Sequence, residues 1–144
     1  MAFKKGFTLT ELITVVIIIG ILSVIAVPQF FRISERAKAA EAVAILSAIR
    51  SAQLRYAVDA DLTTDDLSEL DIDIPSLKYF EPPTPVEVDP RASPTAILCR
   101  VRRLPGVSNP GFSAYSLNID SEGTIGCTGG NLNVCSMLGY IIRN

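Results

Sequence analysis

From residue 7 to residue 27 the chain is almost continuously apolar, with none of the three- and four-residue alternation that marks a helix wetted on one side. These 21 residues make about 31 Å of helix at ~1.5 Å rise per residue, which matches the roughly 30 Å hydrocarbon core of a bilayer. The segment is predicted to span a membrane. Beyond Pro28 the pattern turns amphipathic, and residues 29–57 contain no Gly or Pro while being rich in Ala, Leu, Glu, Lys and Arg, all good helix formers. A helix of about fifty residues is therefore predicted, too long for a domain of this size to bury along its whole length. Gly20 and Pro28 interrupt its regularity. Pro28 has no N–H for the carbonyl four residues back, so the helix is expected to kink or loosen just before it.

At 100° per residue, Phe31, Ala42, Ile45, Leu46, Ile49, Ala52 and Tyr56 fall on one stripe, the spacing of a helix face turned toward a core. The opposite stripe is Ile33, Ala37, Ala40, Ala44, Ala48 and Ser51, where a solvated face would show Glu and Lys. Small residues let helix backbones approach closely, so this stripe is open to subunit packing as well as to simple helix propensity. Arg32, Glu35, Arg36, Lys38 and Glu41 cluster just past the apolar run and read as a solvated collar or as groups that pair between subunits.

Residues 59–94 change character, with ten acids between Asp59 and Asp89 against Lys78 alone and five prolines from Pro82 to Pro94. This stretch is expected to be a connecting loop, holding one short capped helix at 64–70 with Leu67 and Leu70 turned inward. The spacing of Asp59, Asp61, Thr63 and Asp65 suggests a calcium loop, but position six is Thr64 instead of Gly and position twelve is Leu70 instead of Glu. A solvated acidic loop is the reading taken. From Thr95 the period becomes two: Ile97, Cys99 and Val101 alternate with Leu98, Arg100 and Arg102, and Tyr115, Leu117 and Ile119 alternate with Ser116 and Asn118. A turn at 120–123 and a third strand at 124–127 complete a predicted antiparallel meander whose apolar face covers the helix at 45–56. Arg100, Arg102 and Arg103 are read as an outward basic edge, open to pairing with a neighbour's acidic loop or with phosphates, and lacking aromatic interleaving.

Composition narrows the chemistry. The 144 residues suffice for one domain with a modest core, and a net charge of −2 gives no general attraction to nucleic acid. Histidine is absent, which removes Ser-His and Cys-His nucleophile pairs and the commonest metal ligand. No enzyme activity, cofactor or metal is expected, and there is no c-type haem motif.

The exception within the apolar run is Glu11. A charge at mid-membrane costs roughly 2.5–3.5 kcal/mol even on lenient insertion scales, so Glu11 needs a partner. The next basic residue toward the C-terminus is Arg32; nearer are Lys4, Lys5, or a new α-amine created by cleavage before Phe7. A short basic leader ending in Gly6, then Phe7, then Glu11, then an apolar run with Gly20 and Pro28, closely resembles the class III signal of type IV pilins and pseudopilins. The resemblance covers Lys5 to about Phe31. It implies cleavage between Gly6 and Phe7 by a prepilin peptidase, N-methylation of Phe7, and neutralisation by Glu11 of a neighbouring subunit's amine during assembly. An ordinary signal peptide or signal anchor explains the basic start and apolar run, but not Gly6, Phe7 and Glu11 together.

With that topology the three cysteines face an oxidising compartment, and one lacks an intramolecular partner. In the predicted meander Cys99 and Cys127 are two strands apart, about 9.6 Å, beyond the ~7 Å limit for a disulfide. Cys127 with Cys135 is the easier pair, and many pilins have a disulfide-closed C-terminal region that resembles it; Cys99 with Cys135 remains open. The expected fold is α+β, type IV pilin-like. Its parts are a leader at 1–6, a transmembrane and polymerisation helix at 7–28, its continuation into a head at 29–58, an acidic Pro-rich loop at 59–94, and an antiparallel sheet with a C-terminal Cys loop at 95–144. The implied role is a structural subunit held in the bacterial inner membrane as a single-pass precursor and assembled on a membrane platform into a helical filament of identical subunits, extracellular or periplasmic. Alternatives are a type II secretion pseudopilin and, in a different class, a signal-anchored periplasmic binding domain.

Overall fold

The computed structural model describes residues 6–104, 112, 114–129 and 132–142. The leader residues 1–5 with Lys4 and Lys5, the Pro- and Gly-containing loop 105–111, and residues 130–131 of the Cys loop lie outside the described residues. Helix α1 runs Leu9–Ala60 and continues through Pro28. It is followed by a 3₁₀ turn at Leu67–Glu69, strands β1 (Thr84–Pro85), β2 (Ile97–Arg102), β3 (Ser116–Asp120) and β4 (Ile125–Thr128), helix α2 (Leu132–Leu138) and strand β5 (Ile141–Ile142). The chain forms two compact units, Met1–Ser34 and Glu35–Asn144. In the first, the helical segment leaves its large apolar side chains exposed, from Leu9 at 75% to Val27 at 50%.

The second unit is a head in which α1 packs on one face of a five-stranded sheet of order β1-β2-β3-β4-β5. Ala39, Ala42, Leu46, Ile49 and Ala52 bury the helix face against Cys99, Val101, Leu117, Ile119 and Cys127 of the sheet. This is the predicted stripe, shifted slightly: Ile45 and Tyr56 sit at its half-buried margins, while Gln53 and Ala57 join the buried face. The three central strands are the expected meander. At the edges, β1 adds an antiparallel pair from within the Pro-rich segment and β5 adds a parallel one, neither signalled by a two-residue period because each is only two residues long. A register shift between Ile97 and Cys99 breaks the expected alternation, so Leu98 and Cys99 are both buried.

The acidic segment proves to be anchored to the head. Gln53, fully buried, donates from Nε2 to the Thr64 carbonyl at 2.6 Å and accepts the Thr64 N–H at 2.9 Å. The Thr63 hydroxyl donates to the Val86 carbonyl at 2.7 Å and accepts the Val88 N–H at 2.9 Å. Asp61 pairs with Arg91 instead of facing a cation loop. The helix expected at 64–70 contracts to the single 3₁₀ turn, capped by Asp66, whose carboxylate accepts from the Ser68 N–H and hydroxyl and is thereby held below the usual carboxylate range. Leu70 is buried as expected and Leu67 half-buried.

Two charged residues read as surface groups are interior. Glu35 is fully buried and Arg103 is 4% exposed, so neither belongs to the collar or to the basic edge proposed for it. Arg103 donates from Nε to Glu35 Oε1 at 2.7 Å and from Nη1 to the Tyr79 carbonyl at 2.9 Å. The Tyr115 hydroxyl also donates to Glu35, at 3.0 Å, and Lys38 lies 3.6 Å from its other oxygen. Burial and the Glu35 charge push the Tyr115 hydroxyl well above its ordinary pKa. The physical reason for the correction is in the pairing: a buried carboxylate is tolerable only when several donors converge on it, and two of them come from residues 68 and 80 positions away.

Arg103→Ala strands the Glu35 carboxylate in the core and is expected to destabilise the head by about 3–5 kcal/mol, whereas Glu35→Leu with Arg103→Met removes both charges and should lose much less. Urea denaturation of the detergent-solubilised chain distinguishes the two. For the cysteines, the structure pairs Cys127 with Cys135 and leaves Cys99 as a buried thiol whose pKa burial pushes up to about 12. At pH 8 the buried Cys99 stays in the unreactive thiol form. A thiol reagent should therefore find no reactive group in the native protein and one after denaturation; opening Cys127–Cys135 by Ser substitution should cost about 2–3 kcal/mol.

Candidate assembly surface

Glu11 sits in the first turn of α1, and the sequence around it explains its orientation. Thr8 and Glu11 form a reciprocal capping box. The Thr8 N–H donates to Glu11 Oε2 at 2.9 Å, the Thr8 hydroxyl donates to the same oxygen at 2.7 Å, and the Glu11 N–H donates back to the Thr8 hydroxyl at 3.3 Å. The Ser/Thr-x-x-Glu spacing that signals this box is present in the sequence at Thr8 and Glu11. The box satisfies two N–H groups of the helix end, yet it supplies no positive charge, so the carboxylate remains available to a cation.

Beyond the cap the surface is apolar all round. Thr14, one of the polar residues in this stretch, donates its hydroxyl to the Thr10 carbonyl at 2.8 Å, and Ser23 donates to the Ile19 carbonyl at 2.8 Å, so both return their polarity to their own helix. Gly6 and Gly20 have open space where a side chain would begin. α1 is the one helix among the described residues long and apolar enough to cross a membrane. In the head, Ala37, Ala40, Ala44, Ala48 and Ser51 all face solvent, as does Ile33 in the N-terminal unit; the small stripe is thus a free surface of the chain.

The C-terminal segment is tied down twice. Cys127–Cys135 joins β4 to α2, and Arg36 of α1 donates from Nε at 3.0 Å and Nη2 at 2.8 Å to the Met137 carbonyl in the last turn of α2, where a cation also complements the helix dipole. Arg36 is therefore committed within the head. Of the expected collar, Glu35, Arg36 and Lys38 have internal partners, while Arg32 and Glu41 are exposed. Arg100 and Arg102 stay outward on β2, with Arg102 4.0 Å from Glu81. No group of His, Cys, Asp and Glu suited to a metal occurs among the described residues.

Residues 1–27 match the prokaryotic N-terminal methylation motif. Over 118 residues, 82% of this chain and 50% of the relative, the chain is 33% identical to the type IV major pilin protein of Myxococcus xanthus. It is 48% identical over 56 residues to a type IV narrow pilus major component of Thermus thermophilus, covering 39% of this chain and 48% of the relative. A fimbrial protein of Pseudomonas aeruginosa is 48% identical over 52 residues, 36% of this chain and 34% of the relative. The chain thus spans half or less of the length of the curated relatives it matches. No solved structure matches it. In its methylation motif, its capped apolar helix bearing Glu11, and its head of one helix on a mostly antiparallel sheet, the chain is similar to the type IV pilins.

Proposed function

We propose that this chain is the structural subunit of a type IV pilus-like filament. It is stored in the bacterial inner membrane with residues 7–28 across the bilayer, cut by a prepilin peptidase between Gly6 and Phe7, and N-methylated at Phe7. An assembly platform then draws it into a helical array of identical subunits, in which Gly20 and Pro28 let the apolar helix bend to fit its neighbours. The observation that carries this reading is the union of the methylation motif with a helix whose first half has an unbroken exposed apolar surface and one carboxylate. Such a surface is stable only in lipid or against copies of itself. The disulfide-closed C-terminus and the pilus names of the relatives favour a pilus subunit over a secretion pseudopilin.

Glu11 has two roles to separate. As a cap it stabilises the helix end; as a charge it pulls an incoming subunit to the axial offset at which its oxygens meet a neighbour's terminal amine. The amine's attraction acts in a low-dielectric setting and is worth far more there than at a wet surface.

Replacing Gly6 by a larger residue should block cleavage, because the peptidase must accept bare backbone at the cut; uncleaved precursor then accumulates, as mass spectrometry of the N-terminus would show. Normal processing of such a variant would remove the cleavage assignment. Glu11→Gln keeps the capping box, since Gln serves at that position as Glu does, but removes the charge. It is expected to insert and be cleaved normally yet to lower the sheared filament fraction at least about tenfold, as Glu11→Ala should, which corresponds to about 1.4 kcal/mol or more of lost assembly energy. Wild-type filament yield from Glu11→Gln with a deficit in Glu11→Ala would reduce Glu11 to a cap.

A further inference from the structure

An apolar groove of about 380 Å³ opens in the segment joining α1 to the sheet, lined by Leu67, Ile72, Ile74, Leu77, Phe80 and Pro83. Leu67, Ile72, Ile74 and Leu77 pack against the core and still expose part of their surface. Along 71–74 exposure alternates, so Asp71 and Asp73 face water on either side of the groove-lining Ile72. Asp71 is held by Arg55, which lowers its pKa, but Asp73 has no partner among the described residues. Asp65, Asp66 and Glu69 are exposed on the same segment, against the single cation Lys78, so the segment that carries this apolar groove is net acidic. The groove therefore suits an apolar anchor flanked by a positive charge.

The chain carries such an element. Phe30 and Ile33 of α1 are 67% and 63% exposed and, three residues apart, share a helix face. Arg32 beside them is exposed and has no partner among the described residues. In the head unit, Ala37 and Ala40 are exposed and small enough for another surface to approach the helix backbone. All lie past Pro28, beyond the span assigned to the bilayer, so a subunit drawn out of the membrane presents two large apolar side chains to water.

Resting on the filament reading above, we infer that the Phe30 and Ile33 face of one copy seats in the 67–83 groove of another copy, with Arg32 against Asp73. The occupant is a second copy because both halves, complementary in polarity and charge, belong to the same chain at separate places. A contact between unlike patches of identical subunits is heterologous, and its repetition builds an open helical array instead of a closed dimer. Anchors spaced i and i+3 on a helix, entering an apolar groove, are a recurrent mode of recognition, and the flanking charges select register and direction.

The test uses the full-length chain in cells that assemble it. With a photoreactive benzoylphenylalanine in place of Phe30, irradiated sheared filaments should yield a dimer whose cross-link joins residue 30 of one copy to the 67–83 segment of another, while membrane-held, unassembled subunits should not. Cross-links from filaments to lipid only, to a different protein, or to another part of the chain would overturn the inference. In parallel, Arg32→Asp and Asp73→Arg are each expected to lower the sheared filament fraction about tenfold, and the double variant to restore it to within about threefold. Membrane-bound mature subunit serves as the folding and processing control. Single defects without mutual rescue, or no defects, overturn it as well. Absence of filaments from the wild-type chain would instead strike the proposed function.

Discussion

The head depends on one buried ion pair. Glu35 is the first residue of the head unit, and its carboxylate lies in the interior with the Arg103 guanidinium, the Tyr115 hydroxyl and the Lys38 ammonium around it. Each donor comes from a different part of the chain: Arg103 from just past β2, Tyr115 from just before β3, Lys38 from the next turn of α1. Arg103 also binds the Tyr79 carbonyl, its own N–H donates to the Tyr115 carbonyl at 2.8 Å, and its guanidinium lies 5.5 Å from the Tyr79 ring and 5.8 Å from Phe80. Removing these two charges from water is unfavourable, so the arrangement persists only while helix, connecting segment and sheet edge all hold their places. The pair thereby specifies where the helix meets the sheet, a choice that a face of alanines with one leucine and one isoleucine would leave poorly determined.

Around that fixed point three long side chains of α1 bind main-chain groups of distant segments. Gln53 holds Thr64, Arg50 donates to the Ser121 carbonyl at 2.9 and 2.6 Å, and Arg36 holds Met137. The helix thus secures the connecting segment, the β3–β4 turn and the C-terminal helix independently. The side of the helix opposite these contacts makes none of them, and its small residues stay exposed. One helix is divided between holding its own head and offering a surface to others.

The same division explains which parts of the fold were legible in the sequence. The membrane segment, the long helix, the core stripe and the central meander rest on local patterns repeated over many residues. The β1 and β5 strands are too short to show a period, and α2, only seven residues long, looks like loop in the sequence because the Gly-rich stretch before it dominates the local signal. Glu35 and Arg103 resemble surface charges in the sequence because, residue by residue, their neighbours on the chain are charged; nothing local indicates that position 35 and position 103 meet. Cys99 and Cys127 could be separated on paper because strand order in a meander follows chain order. The Thr8 cap is legible in the Ser/Thr-x-x-Glu spacing.

What the sequence by itself determined is therefore what depends on near neighbours along the chain: a 21-residue apolar run with a lone carboxylate, a helix continuing past Pro28, strands of period two, and the signal that marks the family. Tertiary structure alone decided which charges are interior, which cysteine is left free, how the acidic segment is anchored and where its groove opens. The reason is physical: helix and strand periods are set by backbone geometry within a few residues, whereas the burial of a charge is decided by donors that only the completed fold brings within 3 Å or so of it.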